Sequence, residues 1–88
     1  MSYRLEEDER AQAQLQALPV PALTSYAEMR VVLEIAPWSG DSLNRANPNG
    51  AVRTATFGSG SQGMVTYLVL EDIRRVDVLD VLDVVWLG

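Results

Sequence analysis

The chain has 88 residues, 48% of them hydrophobic, with a formal charge of −5 and neither cysteine nor histidine. That allows one small domain with a core of its own, and it excludes Cys/His zinc sites, cysteine nucleophiles and Ser-His-Asp triads. No side chain titrates near neutrality unperturbed, so any general acid or base needs a strongly shifted pKa.

The charge is uneven. Residues 76–88 carry three aspartates and no base, and residues 1–36 are also acidic. Only the middle has a slight positive excess, from Arg45, Arg53, Arg74 and Arg75. A nucleic-acid binder usually shows a basic face, and this chain can offer only a small one. No apolar run nears the roughly 20 residues of a membrane span, and the acidic N-terminus lacks a secretory signal. The expectation is a cytoplasmic protein without a membrane partner.

In chain order, Ser2 to Glu6 reads as a short strand with Tyr3 and Leu5 on one face. The acids Glu6 to Glu9 suit a helix start, where negative charge meets the positive end of the dipole. Ala11, Leu15 and Leu18 then make one apolar stripe on a helix of about three turns, closed by Pro19-Val20-Pro21. A second helix follows, with Ala22, Tyr26, Met29, Leu33 and Ala36 at a 3.6-residue period, and Pro37 stops it. Pro37 to Gly50 is a turn-rich loop with Trp38 as an anchor. Loops of such length in a small domain are often functional.

Three extended segments complete the chain. Ala51–Phe57 and Met64–Leu70 are strands rich in Val, Thr, Tyr and Phe, and a longer run extends from Arg75 to Leu87. Gly58–Gly63 and Glu71–Arg74 are the turns between them. The fold expected from this order is α+β, with a short N-terminal strand, a helical hairpin and a three-stranded antiparallel meander, all in one domain spanning residues 1–88.

Gly58-Ser-Gly60-Ser-Gln-Gly63 has the letters of a dinucleotide loop, but a strand follows it where that motif opens a helix. It reads as a hairpin loop, and no cofactor is expected. Asp77, Asp80 and Asp83 are spaced by three, which on a strand sends neighbours to opposite faces, so no metal site is expected. The tandem Val78-Leu-Asp80-Val-Leu-Asp83 predicts a bulge or strand break near Asp80, with the aspartates solvated at its margins.

The element order and several local motifs resemble the RelE/ParE superfamily of bacterial toxins, in its actinobacterial RelE-like branch. The motifs are Pro37-Trp38-Ser-Gly40, Asn47-Pro-Asn-Gly50, Arg53, Phe57-Gly58, Gly63 to Leu70 and the terminal Val84-Val-Trp-Leu87. The resemblance implies a toxin neutralised by a cognate antitoxin. It implies a ribosome-dependent, metal-free endoribonuclease that cuts mRNA, with Arg53 as the catalytic group. Arg45, Arg74 and Arg75 would hold flanking RNA phosphates. Ala55, Met64 and Asp80 or Asp83 stand where such enzymes often carry bases. The alternatives are a ParE-like inhibitor that binds DNA gyrase, and a decayed member that only binds its antitoxin.

If Arg53 faces outward, the alternation of the strands puts Ala55, Met64, Thr66 and Leu68 on its face. That mostly apolar surface is expected to be a partner face, covered by the antitoxin or by a second copy in a homodimer.

Overall fold

The computed structural model describes residues 2–44 and 46–83. Strand β1 (Arg4–Glu7) leads into α1 (Glu9–Ala17) and α2 (Val20–Ile35). A 3₁₀ turn at Pro37–Ser39 and a two-residue strand β2 (Asp41–Ser42) follow. The chain then forms β3 (Val52–Phe57), β4 (Gly63–Leu70) and β5 (Arg75–Asp83). The sheet order is β1-β5-β4-β3-β2, with β1 parallel to β5 and every other pair antiparallel. This is the expected α+β arrangement of strand, helical hairpin and meander. Two features were not foreseen: β2, and the place of β1 beside the last strand.

Local chemistry sets the helix ends. Asp8 caps α1 by accepting from the Ala11 N–H at 2.9 Å, and Glu9 adds charge to the first turn. Pro19 and Pro21 flank the start of α2, where a missing N–H costs nothing. α2 ends at Ile35, just before Pro37. Among the described residues no helix is long and apolar enough to cross a membrane.

Both helices cover one face of the sheet. Tyr26 and Leu33 of α2 and Ala11 of α1 pack on Phe57, Val65, Tyr67, Val69, Val76, Val78 and Val81, all buried. Each large apolar side chain so buried contributes about 1.5–3 kcal/mol. Tyr26 meets Phe57 edge to face, with ring centroids 5.8 Å apart.

The bulge near Asp80 is present. Thr66 pairs with Asp80 but Tyr67 pairs with Val78, which leaves Leu79 as the extra residue. This one-residue slip lets Val76, Val78 and Val81 all face the helices, despite an odd spacing between the last two. Asp77 and Asp80 are not simply solvated. Asp77 is paired with Arg75 at 2.8 Å, and Asp80 lies 3.5 Å from Arg10 and also accepts from Gln14. Gln14 in turn accepts from the Val81 N–H at 2.7 Å, so its amide covers the edge of β5 beyond the end of β1.

Candidate functional site on the open face of the sheet

The face of the sheet turned away from the helices has no covering layer among the described residues. Strand register assigns it Val52, Thr54 and Thr56 from β3 and Met64, Thr66, Leu68 and Leu70 from β4. Most of these are half-buried among their neighbours. The surface is one of methyl groups, thioether and hydroxyls. At its margin lies an open hollow of about 690 Å³, lined by Asp41, Ser42, Pro48, Arg53, Thr54 and Met64.

Arg53 does not share that face. It is opposite Tyr67 in the β3–β4 pairing, and both are buried, as is Phe57, with Ala55 partly buried against the same core. The expected partner face therefore divides: Met64, Thr66 and Leu68 are on the open side, and Ala55 packs against the core with Arg53. The reason is the starting phase. Alternation fixes which residues go together on each strand, but not which set of β3 adjoins which set of β4.

The Arg53 side chain is a clasp on the loop between α2 and β3. Its Nε and Nη2 donate to the Gly40 carbonyl at 3.0 and 2.6 Å. Its Nη1 donates to the carbonyls of Gly50 at 3.0 Å and Pro48 at 3.3 Å. The guanidinium also lies 5.2 Å from the centroid of the Trp38 ring. Four of its five N–H groups are thus engaged, and the residue is only 8% exposed.

Beneath the clasp, Tyr67 is fully buried and donates to the Pro37 carbonyl at 2.6 Å. Burial pushes its phenol up from the ordinary value. A side chain at Gly40 would collide with the Tyr67 hydroxyl and the Thr54 carbonyl, so only glycine lets the loop approach so closely.

Of the other arginines expected to meet RNA, Arg74 and Arg75 lie apart and are both engaged. Arg75 lies at the β1–β5 side, where Arg4, Glu6, Arg75 and Asp77 form an alternating ladder of ion pairs at 3.2, 3.7 and 2.8 Å. Arg74 closes the β4–β5 turn in the left-handed conformation (φ 52°) and pairs with Glu71 at 2.9 Å. Its guanidinium also sits 4.3 Å from the Tyr3 ring centroid. Arg45 lies outside the described residues, as do Val84 to Leu87.

Glu71 was not singled out from the sequence, yet it is a hub. Its Oε1 accepts from the Tyr3 hydroxyl at 2.6 Å and from the Trp38 indole at 2.7 Å, and its Oε2 accepts from Arg74. These three donors pull its pKa down to about 2, the hydrogen bond from Tyr3 having the largest effect. Trp38 is indeed an anchor of its loop, but at 38% exposure it lies over Arg53 and Glu71 rather than in the core. The one sequence signal for this hub was an indole N–H at the start of a loop, needing an acceptor.

A helical hairpin on one side of a five-stranded sheet, with no covering layer on the other side among the described residues, defines a small α+β domain. Its fold is that of the RelE toxins. The isolated Escherichia coli RelE toxin superposes with a TM-score of 0.74 at 20% identity, over 92% of this chain and 83% of that one. A chain of the intact E. coli RelBE toxin–antitoxin complex gives 0.69 at 21%, over 90% of this chain and 93% of that one. One from the Mycobacterium tuberculosis RelBE2 toxin–antitoxin complex gives 0.67 at 19%, over 94% and 99%. No protein-family model and no curated protein matches the sequence.

Proposed function

We propose that this chain is the toxin component of a toxin–antitoxin pair, a RelE-like protein that acts on mRNA in the ribosome and is restrained by a cognate antitoxin. The observation that carries this reading is the shared fold, which spans nine-tenths or more of the chain against RelE itself and against RelBE complexes. In this reading the open sheet face and the hollow beside Arg53 receive the message. The cut uses the RNA's own 2′-hydroxyl on the neighbouring phosphate, so the protein supplies in-line positioning and charge stabilisation. Arg53 has one N–H unengaged among the described residues, and Arg45, Arg74 and Arg75 are the candidates for flanking phosphates.

A second reading is a member of this fold that binds its antitoxin and leaves RNA intact. It is favoured by the engagement of Arg53, Arg74 and Arg75 by carbonyls and carboxylates. A phosphate would have to compete with each of these partners.

The experiment is expression of the chain with and without the product of the adjacent gene. Primer extension on ribosome-bound messages and a DNA gyrase supercoiling assay are run alongside. Growth arrest with new message ends supports the first reading. Antitoxin binding without cleavage selects the second. Gyrase inhibition without cleavage selects a ParE-like target and sinks both.

A further inference from the structure

α2 carries two apolar seams, and the fold uses only one. Ala22, Tyr26, Met29 and Leu33 face the sheet. On the opposite side, Val20, Thr24, Ala27, Val31 and Ile35 recur at steps of four, three, four and four residues. That is the spacing of a helix–helix seam. All five are exposed, Val20 at 74%, Val31 at 54% and Ile35 at 66%. The single polar group among them is already satisfied, because the Thr24 hydroxyl donates to the Val20 carbonyl at 3.2 Å. A helix apolar on both sides is normally buried on both.

The flanks indicate what covers this seam. At about 100° per residue, Glu28 falls on one side of it and Glu34 on the other. Neither makes an ion pair among the described residues, whereas Glu7, on the buried side, is paired with Arg30. A second copy of the chain fits poorly. Antiparallel pairing centred on Ala27 sets Glu28 beside the same residue of its partner, and both copies are acidic overall. Small side chains at Thr24 and Ala27 allow close approach of another helix. The seam runs for about 22 Å, or four turns.

We propose that the outer face of α2 is a docking site for an amphipathic helix of the antitoxin, with an apolar seam and basic residues on both flanks. The inference rests on the toxin reading in naming the partner, and it goes beyond that reading in placing a contact opposite the sheet face. Apolar packing along Val20, Val31 and Ile35 provides most of the affinity. Glu28 and Glu34 set the register and the preference for a cationic helix.

The test is calorimetric titration of the full chain with the product of the adjacent gene, using Val31→Gln and the double variant Glu28→Lys, Glu34→Lys. Val31→Gln places a better helix former at a half-exposed site, so its circular dichroism should match the parent and its melting temperature should not fall. The expected results are at least a tenfold loss of affinity for Val31→Gln, and for the double variant a comparable loss with weaker salt dependence. Undiminished binding by both variants overturns this inference and leaves the toxin reading intact. Failure of the parent chain to bind that product at all removes the toxin reading and this inference together. A dimer of the chain alone that Val31→Gln dissociates would also overturn it, by giving the seam to a second copy.

Discussion

Arg53 reaches back along the chain to hold the Gly40 carbonyl with two of its donors, at 3.0 and 2.6 Å. The residue most expected to serve catalysis is therefore also the clasp of the loop between α2 and β3. Arg53→Ala removes this bidentate bond and the bonds to Pro48 and Gly50, and leaves three carbonyls short of a donor. A loss of about 2 kcal/mol or more is expected, since hydrogen bonds to charged groups contribute about 1.5–3 kcal/mol each. In a domain of this size that lowers the melting temperature by roughly 10 °C. A shift under about 2 °C would show that the clasp is not a structural element. Cleavage assays on this variant belong well below its own melting point, so that loss of the site is separated from loss of the scaffold.

Gly40 and Tyr67 should behave as one unit. Gly40→Ala forces a methyl group onto the Tyr67 hydroxyl and to within 2.6 Å of the Thr54 carbonyl. Overpacking of this kind costs about 1–3 kcal/mol. Tyr67→Phe alone leaves the buried Pro37 carbonyl unpaired, at about 1–3 kcal/mol. The double variant relieves part of the clash, so its destabilisation should fall short of the sum of the two. Strict additivity in urea titrations would refute the contact.

Glu71 gives a defined pH dependence. Its carboxyl titrates near 2 in the folded chain against an ordinary 4.5, because Tyr3, Trp38 and Arg74 favour the charged form. A depressed pKa stabilises the fold above the unfolded value, and that contribution is lost as pH falls from about 4.5 towards 2. The parent chain should exceed Glu71→Gln in stability most clearly above pH 5, with the gap closing towards pH 2. A gap that stays constant from pH 6 to pH 2 would contradict the hub. Half-exposed as it is, the effect should also shrink in high salt.

A charge on the open sheet face should weaken partner binding much more than folding. Thr66 is central to that face, but Asp80 stands opposite it, and Thr66→Glu would add a repulsion of its own. Met64 pairs with Thr56 and Leu82, neither of them charged, which makes Met64→Glu the cleaner probe. The expected result is at least a tenfold loss in affinity for the antitoxin, with a small change in melting temperature. Unchanged affinity would mean that no partner covers this face.

The sequence by itself determined the order and type of every element but the two-residue strand β2. A 3.6-residue period before Pro37 and β-branched alternation after Gly50 are local properties, and so are the proline stops and the glycine turn. Even the Leu79 bulge was legible, because the tandem Val-Leu-Asp repeat cannot keep its valines on one face without a slip. Tertiary structure decided the rest. Which face of β3 meets the helices depends on its register against β4, and that moved Arg53 and Ala55 away from Met64, Thr66 and Leu68. The acceptors of Arg53, Arg74 and Arg75, and the phenol, indole and guanidinium that donate to Glu71, are brought near by folding, at separations from two to seventy-one residues. A side chain's charge is written in its residue type. Whether that charge is spent within the fold or left for a ligand depends on neighbours that only the folded chain assembles.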